Sequence, residues 1–181
     1  MSSPHSEPSA DLLLSTAQRW KSAGSHIGIL LAVSSLERTA KLINNNLEAL
    51  LRPHGITLSR FTVLSALRWS ADGQMTLGEI AQRLLLHPTS VTSAVDKLEA
   101  EKLVKRVPHP HDRRATLAKI TDSGRQLVDR ATVDLTEAKM GFGDAADDTL
   151  ERFSLHLRDI RQTAGDTVAT ARAYRSLFNG S

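Results

Sequence analysis

The sequence predicts a mainly α-helical fold with one small β-hairpin. Three observations lead there. Apolar residues recur at three- and four-residue intervals through most of the 181 residues, as helices with one buried face require. Only Leu103–Val107 and Arg114–Ile120 have strand character, and Pro108-His109-Pro110-His111-Asp112 marks a turn between them. The composition is 40% hydrophobic but 4% aromatic, so Leu, Ala and Val must pack a core of single-domain size.

The chain has no cysteine, which excludes disulfides, thiolate metal sites and cysteine-based oxidant sensing. Residues 1–8 are polar, contain two prolines and are expected to be disordered. Leu12-Leu13-Leu14 is too short for the apolar part of a signal peptide, and no later stretch reaches the length of a membrane span. The expectation is a cytoplasmic protein without membrane contact.

In chain order, Ser9 caps a first helix to about Ala23, with Leu12, Leu13, Thr16, Ala17 and Trp20 along its inner side and Gly24-Ser25 at its end. A long helix follows from Ser25 to Leu51, stopped by Pro53-His54-Gly55; it is more apolar than the surface helix of a monomer needs. Leu58 to about Ser70 forms the next, with Leu58, Phe61, Leu64 and Leu67 inside. Thr121 caps a helix to about Met140, broken at Gly141-Phe142-Gly143, and another spans Asp144 to about Arg161 with Leu150, Phe153, Leu157 and Ile160 on one face. The Ala-rich tail, Thr167 to Phe178, extends these helices or packs on a partner chain.

The centre of the chain carries the chemistry. In the short helix after Thr76, Leu77, Ile80, Ala81 and Leu84 face a core; Leu85-Leu86-His87 is the connection, and Pro88 suits the first turn of a new helix. Val91, Ala94, Val95 and Leu98 then form a narrow apolar stripe, leaving Thr89, Ser90, Thr92, Ser93 and Lys97 on the other side. A solvated helix face is usually rich in Glu, Lys and Arg, whereas short hydroxyl side chains let a backbone approach base edges and phosphates. Between Arg83 and Lys119 eight cations stand against four acids, an excess above the +3 of the whole chain. Acidic residues dominate from Asp134 to Asp159, so the chain is basic near the hairpin and acidic towards its end.

This order of helix, turn, polar helix and basic hairpin resembles the winged helix-turn-helix of the MarR family of bacterial transcription regulators, over roughly Ile27 to Val133. Ile56 to Leu64 is similar to the segment opening the family's second helix, Val91 to Glu99 to its recognition helix, Asp112-Arg113-Arg114 to the Asp-x-Arg of its wing, and Ile120 to Gly124 to the junction after the wing. Where the family's Glu-x-x-Gly-Leu-Val run has glycine, this chain has Lys102. A lysine in the left-handed conformation that glycine accepts costs on the order of 1 kcal/mol, so either the turn differs or that strain is tolerated.

The resemblance implies a disordered start at residues 1–8, N-terminal dimerisation helices at 9–56, a winged helix-turn-helix DNA-binding lobe at 57–121 and C-terminal dimerisation helices at 122–181. It implies a homodimer on double-stranded DNA, with Met75-Thr76 a short strand beside the wing. Thr89, Ser90, Thr92 and Ser93 would meet base edges or phosphates, with Lys97 and Arg106 joining the DNA-binding set. At the wing, Arg113 or Arg114 would enter the minor groove while Asp112 orients a guanidinium. A small-molecule effector, aromatic or anionic, would bind near Trp20, His26, Leu30, Arg60, Phe61 and Thr62; plain core packing is the other reading of most of these. Trp20 occupies a position similar to the ligand-stacking Trp of the urate-responsive subset. Thr62 stands where that subset has Asp, which argues against urate and leaves other planar ligands.

Other classes fare worse. There is no Gly-x-Ser-x-Gly elbow, Gly-rich phosphate loop or His-Glu-x-x-His helix, so the expectation is no enzyme and no cofactor. His109 and His111 are too few for a zinc site. The remaining alternative is a winged helix used only for protein contacts.

Overall fold

A computed structural model describes residues 27–110, 115–167 and 169–178. The predicted first helix, Trp20 and His26 lie outside these residues, as do the wing-tip residues Asp112, Arg113 and Arg114. The chain forms two compact units, one up to Gly141 and the other from Phe142 onward.

In the first unit, α1 (Ile27–Leu51) runs into a 3₁₀ turn, Arg52–His54, that closes at Gly55 with φ of +70°. The turn is tied by His54 Nε2, 2.8 Å from Asp134 Oδ2. Next come α2 (Leu58–Arg68), β1 (Gln74–Thr76), α3 (Leu77–Leu84), α4 (Pro88–Ala100), β2 (Val104–Pro108), β3 (Thr116–Ile120) and α5 (Asp122–Glu137). Each short element starts where a side chain can take up orphan backbone N–H groups. Thr57 accepts from the Arg60 N–H at the head of α2, and Glu48 of α1 accepts from the Leu58 N–H at 2.9 Å. Thr76 and Glu79 form a reciprocal capping box on α3, and Thr121 caps α5.

The sheet order is β1-β3-β2, antiparallel throughout, with Thr76 opposite Leu117 and Val104 opposite Ile120. The strand expected from the resemblance at Met75-Thr76 is therefore present. The hairpin strands differ slightly from expectation, because pairing begins at Val104 and the return strand at Thr116.

The core lies where these elements meet. Leu51, Val63, Leu64, Leu67, Ile80, Val91, Val95 and Leu98 are fully enclosed, joined by Val104, Ala118 and Ile120 of the sheet and by Val128, Ala131 and Leu135 of α5. Leu58 and Phe61, expected inside, are only partly buried, and Val63 and Ala66 take the deeper places. No polar or charged residue is buried among the described residues. Most of α1 stays outside this core: Ile29, Val33 and Leu36 recur along one side at 67%, 51% and 42% exposure.

The expected length of α5 is corrected at its end. The helix stops at Glu137, and Lys139 and Met140 both adopt positive φ before Gly141. Beyond the break Gly141 lies close against α1, where Asn46 Nδ2 donates to the Gly141 carbonyl at 2.9 Å and an added Cβ would lie 3.1 Å from Asn46 Cβ.

In the second unit, α6 (Asp147–Thr163) begins three residues later than Asp144, and a separate short helix, α7, covers Ala171–Phe178. Phe142 and Phe153 pack edge to face with centroids 6.2 Å apart. Ile160, expected on the apolar face, is 56% exposed. No described helix is long and apolar enough to cross a membrane.

Candidate nucleic-acid interface

The helix α4 starts at a firm boundary. His87 stays extended before Pro88, and its Nδ1 accepts from the Thr89 N–H at 3.3 Å. The preceding turn is unusual in that Leu85 adopts a left-handed conformation, φ +51°, while remaining exposed; the Leu86 N–H reaches back to the Ala81 carbonyl at 3.0 Å and closes α3.

From that start the helix divides as its sequence predicts. Val91, Ala94, Val95 and Leu98 are buried, and Thr89, Ser90, Thr92, Ser93 and Lys97 are all exposed. The Thr92 hydroxyl donates to the Pro88 carbonyl at 3.0 Å, so its proton is engaged within the helix and its oxygen and methyl group face outward. Thr89, Ser90, Ser93 and Lys97 line an open groove of about 630 Å³, whose opposite wall is Thr57, Ser59 and Arg60 at the start of α2. Glu101, paired with Arg60, also lines it, and an open groove of hydroxyls and two cations suits a sugar-phosphate backbone better than a buried apolar ligand.

The acids of α4 and of the turn after it are each held by an arginine from another element. Arg60 pairs with Glu101, and also reaches Thr57 Oγ1 at 3.3 Å and the Gly55 carbonyl at 3.4 Å. Arg106 of β2 donates to Asp96 at 2.6 Å and to Glu99. Its backbone N–H donates to the other Glu99 oxygen at 3.0 Å. The hydrogen bond to Asp96, then that to Glu99, raises the Arg106 pKa against the opposing effect of partial burial.

The sequence-predicted residues thus fall into distinct places. Those on α4 share one face. Arg60, expected beside an effector, lines the groove against α4. Leu30 is half-buried on α1, Phe61 packs against the core, and Thr62 donates its hydroxyl proton to the Leu58 carbonyl at 2.7 Å. Lys105 of β2 is exposed opposite Lys119 of β3, and the His109 N–H donates to the Ala115 carbonyl at 3.2 Å, closing the described part of the hairpin. Sequence reasoning missed Thr57, Ser59 and Glu101. A capping Thr followed by an Arg is common at any helix start, so only the packing of α2 on α4 brings them to the groove. Among the described residues no group of three His, Asp or Glu side chains is placed to hold a metal ion.

A helix presenting small hydroxyl groups and a cation, set on a helical core beside a basic antiparallel hairpin, defines a winged helix-turn-helix. The sequence model of the MarR family matches residues 54–115. The Bacillus subtilis (strain 168) HTH-type transcriptional regulator MhqR is 37% identical over 93 residues, 51% of this chain and 63% of its own length. That alignment therefore spans less than two thirds of MhqR. The crystal structure of Sco5413, a MarR family transcriptional regulator from Streptomyces coelicolor, superposes with a TM-score of 0.72 and 34% identity, covering 78% of this chain and 99% of that one. A mutant MarR from E. coli, solved in complex with operator DNA, shares the fold at a TM-score of 0.65 and 21% identity, covering 75% and 98% of the two chains. The chain belongs to the MarR family. It is a winged-helix transcription regulator, a class that does not consist of enzymes.

Proposed function

We propose that the chain is a repressor that binds a pseudo-palindromic operator as a homodimer and is released by a small aromatic or anionic effector. The observation that carries the DNA reading is the outward side of α4: five exposed residues bear hydroxyls or an ammonium group, and the acids beside them, exposed Asp96 together with Glu99 and Glu101, are drawn into ion pairs. A hydroxyl and lysine face whose neighbouring carboxylates are already paired with arginines fits the major groove, where unpaired carboxylates would repel phosphate.

Dimerisation rests on the exposed apolar side of α1, a surface that a monomer would leave in water. Two-fold symmetry then sets the half-sites about 10 base pairs apart, one recognition helix in each major groove. Release by an effector follows the family resemblance, and requires a compound with different affinity for the DNA-competent and DNA-incompetent states.

The test is selection of bound duplexes from a random DNA pool, followed by anisotropy titration of the enriched sequence at several salt concentrations. An inverted repeat with steep salt dependence is the expected result. Absence of binding by ligand-free protein would favour the protein-contact alternative. Sedimentation at micromolar concentration checks the dimer, and a monomer there would overturn it.

A further inference from the structure

We infer that Arg106 is a positioning residue that locks the wing to the recognition helix, and that it does not contact DNA. The inference rests on the DNA-binding reading. Composition alone places Arg106 among the basic residues of the hairpin. The geometry separates it from them.

Asp96 and Glu99 are three residues apart on α4, hence neighbours on one helical face. A single guanidinium spans both, and the same residue's backbone N–H takes the remaining Glu99 oxygen. A planar fork with separated donors can do this; a lysine ammonium cannot hold both carboxylates in one plane. The exposures argue the same way. The Arg106 side chain is 29% exposed, while those of Asp96 and Glu99 are 57% and 38% exposed. The cation is the least exposed member of the cluster and its donors are taken up by two carboxylates, so a phosphate approaching Arg106 would meet two negative charges with it.

The consequence is mechanical. β2 is an edge strand, bonded to β3 on one side only. Its other attachment is this clip, together with the packing of Leu103 and Val104 in the core. The clip fixes the angle between the strand that leads to the wing tip and the helix that reads the groove. It also neutralises acids that would otherwise stand near the DNA.

The experiment uses the full chain, the enriched duplex and three proteins: Arg106→Ala, the pair Asp96→Asn with Glu99→Gln, and all three changes together. Each is titrated across a salt series, and each is unfolded in urea without DNA. A positioning role predicts a loss of affinity on the order of tenfold for Arg106→Ala, the range of coupling within one ion-pair network, with the salt slope unchanged. The paired amide variant also weakens binding although it is two charges more positive, and the triple variant is no weaker than Arg106→Ala. A phosphate contact predicts the opposite: a slope reduced by about 0.9 in Arg106→Ala, and tighter binding by the amide variant. That result overturns the inference.

Should the wild-type chain bind no duplex, the regulator reading fails at that step. The urea cycle still judges the clip, because additive losses of stability would show that Arg106 does not hold the two acids.

Discussion

The Thr121 hydroxyl lies 2.9 Å from the carbonyl oxygen of Lys102 and 3.0 Å from that of Leu103, while accepting from the Gly124 N–H at 3.1 Å. One side chain therefore caps α5 and braces the turn between α4 and the wing. That turn contains Lys102 at φ +60°, so the left-handed lysine is real and the backbone keeps the shape a glycine would favour. Replacing Thr121 with Val removes cap and brace together, and should cost about 1–2 kcal/mol in urea unfolding. A loss within experimental error would show that the hydroxyl is dispensable.

Lys102→Gly should raise stability by roughly 1 kcal/mol, because the left-handed conformation then carries no Cβ strain. The gain is measured by the urea midpoint at constant m-value. A destabilised variant would mean that the lysine side chain contributes more than its backbone strain removes.

Gly124 sits in the first turn of α5 against the backbone that follows α4. A Cβ there would lie 2.3 Å from the Leu103 carbonyl oxygen and 2.9 Å from Ile120 Cγ1. Backbone cannot swing aside as a flexible side chain does, so Gly124→Ala should destabilise by about 1–3 kcal/mol despite the better helix propensity of alanine. Thermal unfolding checks it, and an unchanged or raised Tm would refute the close approach.

The capping box gives a pH signature. Glu79 accepts from the Thr76 N–H at 2.7 Å and from the Thr76 hydroxyl, and these bonds, the backbone one first, hold its pKa below the ordinary glutamate value. A depressed folded-state pKa stabilises above the unfolded value, and the contribution disappears as pH falls through the folded one. The stability difference between the wild type and Glu79→Gln should therefore be present at neutral pH and shrink on acidification below the ordinary glutamate range. A difference independent of pH would show that the carboxylate charge plays no part.

On the reading face, Lys97 is exposed in the groove and has no acidic partner among the described residues. If it meets a phosphate, Lys97→Ala lowers the salt slope of operator binding by about 0.9 and weakens all sequences alike, whereas Ser93→Ala changes sequence preference with the slope intact. Reversal of those two effects would exchange their roles.

Much of this architecture was legible in the sequence because its signals are local. Pro88 and the capping residues Thr57, Thr76 and Thr121 fix helix starts through neighbouring backbone atoms, and the stripe Val91, Ala94, Val95, Leu98 needs only helical period to be recognised. What escaped depends on packing between distant segments. Arg60 and Glu101 are 41 residues apart, and nothing in either flank announces that they pair. The contact of Gly141 with Asn46 of α1, just beyond the end of α5, is likewise one that local periodicity does not register. The charge count located a basic segment but not which of its cations remain available, since Arg106 turns onto Asp96 and Glu99.

The strand β3 receives both ends of the helix-turn-helix, Thr76 opposite Leu117 and Val104 opposite Ile120. Everything from Leu77 to Leu103 is thus a closed excursion that leaves one strand and returns to it. Its two sides answer to different constraints. Outward positions along it can diverge in operator preference while the stem stays constant, whereas its inner side is tied to the core and its acids to Arg60 and Arg106 outside the excursion. Variation in what is read is thereby separated from variation in how the reader is held.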